Sequence, residues 1–165
     1  EKRDRVAMLV FRFAQGRIVL PPTRNFMHAR KVIDELYVGG CTPLATGLLE
    51  GLRLAETERM RDPTVRPLLI ILTDGLANID LSGNMRSITP QRDALHIAQE
   101  IATRQIPTVL IDTNPYAPIP TSAQSPVEDK LSETEATPGH DLALALDADY
   151  YRLSPPYAAM LLQRG

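Results

Sequence analysis

The pattern of apolar and polar positions along the chain predicts strands and helices that alternate. Runs with the composition of strands are found at 6–13 (VAMLVFRF), 17–20 (RIVL), 68–73 (LLIILT), 108–113 (TVLIDT) and 150–153. The first two are separated by a turn at Gln15-Gly16, which predicts a hairpin. The third is almost purely apolar, which is typical of a strand buried on both faces of a parallel sheet, and the fourth has an apolar centre.

Apolar residues at helical spacing predict helices at 25–37, 43–58, 90–104, 141–146 and 155–163. Four helix starts carry a hydroxyl residue followed by proline, which favours an N-cap and a first helical position: Thr42-Pro43, Thr89-Pro90, Thr137-Pro138 and Ser154-Pro155. Alternating strands and helices predict an α/β fold: a doubly wound, mostly parallel sheet with helices on both faces. Residues 114–137 are rich in Pro, Ser, Thr and Glu, and we expect a mobile loop there.

Composition limits the class of protein. The chain has 165 residues, which fits one domain, 1–165, of the usual roughly 100–200 residues. The net charge is −2 with scattered basic residues, and Trp is absent, so we expect no nucleic-acid partner. No apolar run reaches the roughly 18 residues of a membrane span, and the first residues predict no signal peptide. The single cysteine, Cys41, excludes an internal disulfide and favours a reducing, cytoplasmic location.

The run 68–73 leads directly into Asp74-Gly75, which places a carboxylate after a buried strand. Open α/β sheets bind their ligands at the carboxyl ends of their strands. Asp is unfavourable in strands and costly to bury without a partner, so a metal ion is one explanation for its position. The other is an ordinary turn, because Asp and Gly are common turn residues. The segment alone leaves both explanations open.

A second candidate segment is Gly39-Gly40-Cys41-Thr42-Pro43, which delivers a hydroxyl to a predicted helix start. It is not a phosphate-binding loop, because Leu48-Leu49 stand where that motif needs Lys and Ser or Thr. Thr42 is either a metal ligand or a plain helix N-cap, a role that Thr often has. Cys41 is either a reactive thiol near a helix N-terminus or a small buried side chain.

Two longer segments together resemble a known family. The sequences GGCTPLATGL and PLLIILTDGLAN, preceded by RDRVAMLVFR and LPPT, are similar to a von Willebrand factor A (integrin I-like) domain. The resemblance is strongest with the carboxy-terminal domain of magnesium-chelatase D subunits and their cobaltochelatase relatives. It covers about Arg3 to Leu162. It implies a metal-ion-dependent adhesion site for Mg²⁺ at the top of the sheet.

The resemblance assigns roles to individual residues. Thr42 matches the loop threonine of the adhesion site and Asp74 matches the aspartate at the strand end. The neighbouring residues are then expected to form a rim that binds a partner, namely Gly40, Cys41, Gly75 and Asn78. Asp112, at the end of the run 108–113, has no direct metal role in the family, and we expect it to support the site or a loop.

One difference from the family is large. Its first strand ends in D-x-S-x-S, which supplies most of the direct metal contacts, and this motif precedes the segment that matches RDRV. The sequence begins at Glu1, so we expect a fragment or a truncated reading frame without the first strand, its motif and the helix that follows. In the family's sheet that strand lies between the strands that match 6–13 and 68–73, so we expect exposed sheet edges that allow self-association, or a sheet that closes in an unusual way. Asp80 and Ser82 resemble the motif in letters, but we expect Asp80 to be a loop carboxylate because no buried strand directly precedes it.

These observations predict a non-catalytic, metal-dependent interaction domain. Mg²⁺ prefers six oxygen ligands, often with one or two carboxylates, so two protein oxygens predict binding no tighter than about millimolar. The resemblance implies AAA+ ATPase and porphyrin-binding subunits as partners, in a complex that inserts Mg²⁺ into protoporphyrin using ATP. It equally allows a cobaltochelatase subunit or a partner of stand-alone MoxR-like AAA+ ATPases. Other hypotheses are an enzyme that uses Asp74 and Asp112 as acid–base carboxylates, and a secreted adhesion domain.

Overall fold

The computed structural model describes residues 4–13, 15–36, 39–114 and 137–153. They form a mixed α/β structure with these elements: β1 (Val6–Arg12), β2 (Gln15–Thr23), α1 (Phe26–Asp34), α2 (Leu44–Arg61), β3 (Leu69–Thr73), α3 (Pro90–Thr103), β4 (Thr108–Asp112), α4 (Pro138–Leu146) and β5 (Asp149–Arg152). Strands and helices thus follow each other as the apolar pattern predicts. No helix in the described part of the chain is both long and apolar enough to cross a membrane.

Strands β1 and β2 form the predicted antiparallel hairpin. The second strand is longer than the four residues predicted and includes Pro21 and Pro22. Proline is tolerated in a strand that lies at a sheet edge or a bulge, and the pairing is irregular between Val6 and Leu9. The two prolines therefore do not end this strand, and its predicted range is too short.

Strands β3, β4 and β5 form a parallel sheet with β4 in the centre. Helices α2, α3 and α4 contribute to one apolar core, which includes Leu48, Ile101 and Leu142. Ile71 of β3 and Leu110 of β4 also belong to this core. Successive side chains of a strand point to opposite faces of the sheet. The side chains of Leu68, Ile70 and Leu72 point to the other face and are each more than half exposed.

The described strands form two separate sheets, and the division falls between β1 and β3, the two strands that would flank the family's first strand. Helix α2 contacts both sheets. A Cβ on Gly47 would collide with Phe11 of β1, and a Cβ on Gly51 would lie 3.8 Å from the Leu69 side chain of β3. Within the described ranges, β1 pairs only with β2 and β3 pairs only with β4, so no strand joins the two sheets. One edge of β1 and one edge of β3 therefore lack a described neighbour.

The structure changes two of the helix-start predictions. The N-cap of α2 is Pro43, with no side-chain capping bond, so the prediction of Thr42 as N-cap is wrong. The N-cap of α4 is Thr137, whose hydroxyl accepts the His140 amide at 3.1 Å, as predicted. Thr89 is at the N-cap of α3 but makes no capping bond. The predicted Ser154 cap, the helix at 155–163 and almost all of the predicted loop at 114–137 lie outside the described residues.

Candidate functional site

The carboxyl ends of β3 and β4 lie side by side. Thr73 pairs with Asp112 in the parallel register, and the Thr113 amide donates to the Thr73 carbonyl at 3.0 Å. Asp74 directly follows Thr73, so its carboxylate lies at the edge of the sheet where ligands bind in open α/β folds. The structure thus places Asp74 where the apolar run predicted it.

Asp74 is half-buried and makes a turn with its own side chain. Its Oδ1 accepts the Leu76 amide at 3.0 Å, and Gly75 has a φ of 77°. This is the local bond by which Asp commonly shapes a turn. Asp74 therefore forms the predicted turn, and it uses one carboxylate oxygen to do so. The carboxylate remains partly accessible to solvent, so a role as a ligand is still open to it.

Thr42 is held against the turn that begins at Asp74. The Thr42 amide donates to Asn78 Oδ1 at 2.6 Å, and the Asn78 amide donates to the Thr42 carbonyl at 3.2 Å. This reciprocal pair ties the segment before α2 to a residue only four positions after Asp74. Thr42 and Asp74 thus belong to the same rim of the molecule, and the Thr42 hydroxyl is not used to cap α2.

Gln91 contributes to this rim, although its sequence context does not indicate such a role. Its Oε1 accepts the Ala77 amide at 3.1 Å and its Nε2 donates to the Gly75 carbonyl at 2.9 Å. Gln91 lies in the first turn of α3, so these two bonds fix residues 75–77 to a helix of the core. A glutamine in a helical pattern carries no signal for such a contact, because the turn that it holds is sixteen residues away in sequence.

The other rim residues have different surroundings. Gly40 is exposed with a φ of 98°, and a Cβ there would lie 3.3 Å from the Phe13 ring. Cys41 is partly buried and is a free thiol. Gly75 is buried, and a Cβ there would collide with the backbone of Gly139 at the start of α4. Gly75 therefore serves close packing beneath the rim, whereas Gly40, Cys41 and Asn78 stay accessible to differing degrees.

Asp80 closes a turn within the loop between β3 and α3. Its Oδ1 accepts the amides of Ser82 and Asn84, each at 2.9 Å. The bond from the Asn84 amide holds the pKa of the Asp80 carboxyl below its usual value, against the opposing effect of burial. A carboxylate engaged in this way has the loop role that we expected. Ser82 takes part in the turn through its amide.

Asp112 is completely enclosed. Tyr150 donates its hydroxyl to Oδ2 at 2.5 Å and the Asn114 amide donates to Oδ1 at 2.8 Å. A Cβ on Gly139 would collide with the same carboxylate, so the start of α4 packs directly on it. Burial, followed by the bond to Asp112, raises the pKa of the Tyr150 hydroxyl. Asp112 therefore connects β4, β5 and α4, and a substrate has no access to it.

The donors on the rim suit Mg²⁺ in kind but are few. A carboxylate and a hydroxyl are the hard oxygen ligands that Mg²⁺ takes, together with waters. In residues 4–13, 15–36, 39–114 and 137–153, no three His, Cys, Asp or Glu side chains are grouped to hold a metal ion. Thr42 and Asp74 are two oxygen donors on one rim, too few by themselves for the six ligands that Mg²⁺ takes.

Comparison with known proteins relates this chain to chelatase subunits. It is 38% identical over 112 residues to the magnesium-chelatase 60 kDa subunit of Cereibacter sphaeroides, covering 68% of this chain and 20% of that protein. It is 33% identical over 111 residues to the subunit of the same name in Rhodobacter capsulatus, covering 67% of this chain and 19% of that protein. The chain is thus homologous to magnesium-chelatase subunits over about two thirds of its length. It spans about a fifth of the length of these relatives.

The fold also has a solved counterpart. The chain superposes with a TM-score of 0.61 on the crystal structure of the conserved hypothetical protein BatB from Bacteroides thetaiotaomicron. The match covers 99% of this chain and 78% of that one at 16% sequence identity. At that identity the likeness establishes a shared fold alone. No protein-family model matches the sequence.

Proposed function

We propose that this chain is the von Willebrand A-like, metal-dependent interaction domain of a magnesium-chelatase D-type subunit. In this proposal the subunit assists an ATP-driven, cytoplasmic complex that inserts Mg²⁺ into protoporphyrin IX. Its partners are the AAA+ ATPase subunit and the large porphyrin-binding subunit. The observation that carries the proposal is the reciprocal Thr42–Asn78 hydrogen-bond pair, which fixes the loop threonine beside the turn of Asp74.

The surroundings of the two aspartates favour docking over catalysis. An acid–base enzyme on this edge of the sheet would need both Asp74 and Asp112 to reach a substrate. Asp112 is fully buried, with a hydrogen bond to each carboxylate oxygen, so it is committed to the fold. Of the two carboxylates, Asp74 is the accessible one, and an accessible carboxylate beside a hydroxyl suits a metal-mediated contact better than proton transfer.

The rim residues have a defined part in this proposal. Asp74 would supply negative charge to Mg²⁺ and Thr42 a neutral oxygen, while Asn78 keeps the threonine segment in position. When bound, the ion supplies positive charge that a carboxylate of the partner can share. The low number of protein ligands makes the ion and the partner depend on each other, because each completes the site for the other.

The sequence relatives favour one branch of the family. The relatives from Cereibacter sphaeroides and Rhodobacter capsulatus are both named as magnesium-chelatase subunits. This favours the magnesium chelatase over a cobaltochelatase subunit or a partner of MoxR-like AAA+ ATPases. Association with the magnesium-chelatase subunits, measured against the corresponding cobaltochelatase subunits, separates these alternatives.

The test uses the whole subunit that contains this chain, because the chain spans about a fifth of the length of its relatives. Binding of the ATPase and the porphyrin-binding subunits is measured by calorimetry, with and without Mg²⁺. We expect Thr42→Ala and Asp74→Asn each to weaken at least one of these associations about tenfold, the effect of losing one charge-assisted contact.

Asp149→Asn is the matched control, because Asp149 is exposed at the start of β5, at the opposite end of the same sheet. It removes the same charge and should leave the association unchanged. Equal binding by the Asp74 variant and the parent subunit, with and without Mg²⁺, would contradict the proposal.

The edges of β1 and β3 that have no neighbour among the described strands support a separate proposal of self-association. Backbone groups on an open strand edge can pair with another chain. Ile70, more than half exposed on β3, lies beside one such edge. Light scattering should detect concentration-dependent oligomers of this chain that Ile70→Lys reduces, because an exposed lysine hinders strand pairing. A monomer at all concentrations would refute self-association without affecting the metal site.

A further inference from the structure

The loop between β3 and α3 exposes an unusual number of large apolar side chains. Within residues 76–88 the exposed fractions are 51% for Leu76, 39% for Leu81, 63% for Met85 and 99% for Ile88. A single exposed leucine is common on protein surfaces, but several in one short segment mark a contact surface. We call Leu76, Leu81, Met85 and Ile88 together with the loop that carries them the apolar loop.

This exposure is not the result of a loosely held backbone. Ile79, in the middle of the loop, is 1% exposed. The Leu81 amide and the Thr89 hydroxyl both donate to Asp93 Oδ2 at 3.3 Å, which ties the loop to α3. Asp80 and Gln91 hold the turns on either side of Ile79. A backbone fixed in this way presents its apolar side chains at a reduced entropic cost on binding.

The negatively and positively charged side chains in and next to the apolar loop differ in their surroundings. The carboxylates of Asp80 and Asp93 face inward and accept amide hydrogens of the loop itself. Arg86, within the loop, and Arg92, in the first turn of α3, are both exposed. Within residues 76–92, the exposed charged side chains are therefore both positive, whereas Asp74, just before this segment, is half-buried. A complementary partner combines acidic and apolar side chains.

We propose that the apolar loop is a docking surface for an acidic, amphipathic segment of a partner protein. Leu76, Met85 and Ile88 bury the apolar face of that segment, and Arg86 and Arg92 pair with its carboxylates. This surface lies beside the Thr42–Asp74 rim but does not use the metal ion. It therefore goes beyond the proposed function, and it can hold or fail independently of the metal site.

The test uses the full 165-residue chain and three synthetic peptides of equal length. The first forms an amphipathic helix of leucine and glutamate, the second has lysine in place of glutamate, and the third has serine in place of leucine. Binding is followed by fluorescence anisotropy and by shifts of backbone amide resonances. We expect the first peptide alone to bind, with the largest shifts in residues 76–92, and EDTA to have no effect.

Two double variants locate the surface. Met85→Ser with Ile88→Ser should weaken binding of the leucine–glutamate peptide at least tenfold. The matched control is Met60→Ser with Ile33→Ser, because Met60 is 77% and Ile33 55% exposed elsewhere on the molecule. The control should bind like the parent chain. Arg86→Gln with Arg92→Gln should weaken binding and reduce its dependence on salt, because screening acts on charge pairs.

Several outcomes overturn the proposal. One is equal binding of the lysine peptide, and another is binding of no peptide at all. Loss of binding in EDTA or in Asp74→Asn would assign the contact to the metal rim instead. Binding of anionic lipid vesicles through Met85 and Ile88, without binding of the leucine–glutamate peptide, would assign the loop to a membrane surface.

Discussion

Asp74 and Asp112 lie at the ends of neighbouring strands and have opposite environments. Asp112 is fully buried, with a hydroxyl on one oxygen, an amide on the other, and the start of α4 packed against it. Asp74 directly follows β3, the strand that lies beside Asp112. It is half-buried, and its side chain accepts a hydrogen bond from the Leu76 amide. The same residue type at the same edge of a sheet can thus hold the fold together or remain available for binding.

The difference between the two carboxylates comes from the segments that pack over each strand end. Tyr150 of β5 and Gly139 of α4 close over Asp112. After β3 the chain turns at Gly75, is fastened by Gln91 and Asn78, and leaves the Asp74 side chain partly uncovered. Whether an aspartate at this edge is open to a ligand therefore depends on the segments that pack over it, and not on the residue type alone.

The largest expected effect distinguishes the two carboxylates by stability. Asp112→Ala removes the hydrogen bond from the Tyr150 hydroxyl and opens a cavity, and we expect it to reduce the free energy of unfolding by about 3 kcal/mol. Asp74→Ala removes one turn bond at a partly exposed site and should cost about 0.5–1 kcal/mol. Urea denaturation followed by circular dichroism measures both. Equal losses for the two variants would contradict the contrast between an enclosed and an available aspartate.

Two glycines with similar backbone angles offer a second comparison. Gly75 has a φ of 77° and Gly83 a φ of 83°, but a Cβ on Gly75 meets the Gly139 backbone whereas one on Gly83 meets nothing within 4 Å. Gly83→Ala should therefore cost about 1 kcal/mol from backbone strain alone. Gly75→Ala adds a collision with the backbone and should cost about 2 kcal/mol more. Thermal and urea unfolding measure the loss of stability in both variants. The difference between them shows whether backbone strain alone or close packing as well requires glycine at position 75.

Titration of Tyr150 provides a third contrast. The pKa of its hydroxyl is raised above the ordinary value of 10.0, so the proton is retained more strongly in the folded state. This contribution to stability is complete below the unfolded pKa and is lost as the pH rises through the folded pKa. The urea midpoint should therefore fall as the pH rises above the ordinary tyrosine pKa of about 10. Tyr150→Phe should be less stable at neutral pH and should lack this component, and an unchanged alkaline profile would show that Tyr150 does not carry it.

The sequence was sufficient for the order of elements. The apolar runs of β3 and β4 are strands of a parallel sheet, and period-based limits fall within a few residues of the observed helices α2 and α3. It failed at Thr42, because a Thr-Pro pair favours an N-cap but the helix begins one residue later. The apolar pattern alone did not give the strand neighbours, because these are set by tertiary pairing and not by the pattern of one strand.

The candidate site was predictable only in part. Asp74 follows the apolar run that forms β3, and this position at a strand end is what predicted a ligand edge. The contacts that organise the rim are long-range: Asn78 meets Thr42 across thirty-six residues of sequence, and Gln91 meets Gly75 across sixteen. Helical or strand periodicity carries no information on such pairs. The enclosure of Asp112 likewise depends on Tyr150, thirty-eight residues later.

The smallest expected effect concerns Mg²⁺ itself. With one carboxylate and one hydroxyl on the rim, we expect the isolated chain to bind Mg²⁺ no more tightly than about millimolar. Calorimetry and amide shifts should show weak binding confined to the segments of Thr42 and Asp74, lost in Asp74→Ala and retained in Asp149→Asn. Micromolar affinity abolished by Asp74→Ala would mean that the described rim contains more ligands than these two. Binding that persists in Asp74→Ala would show that the ion binds elsewhere on the molecule. The contrast between an available Asp74 and an enclosed Asp112 would then have no part in metal binding.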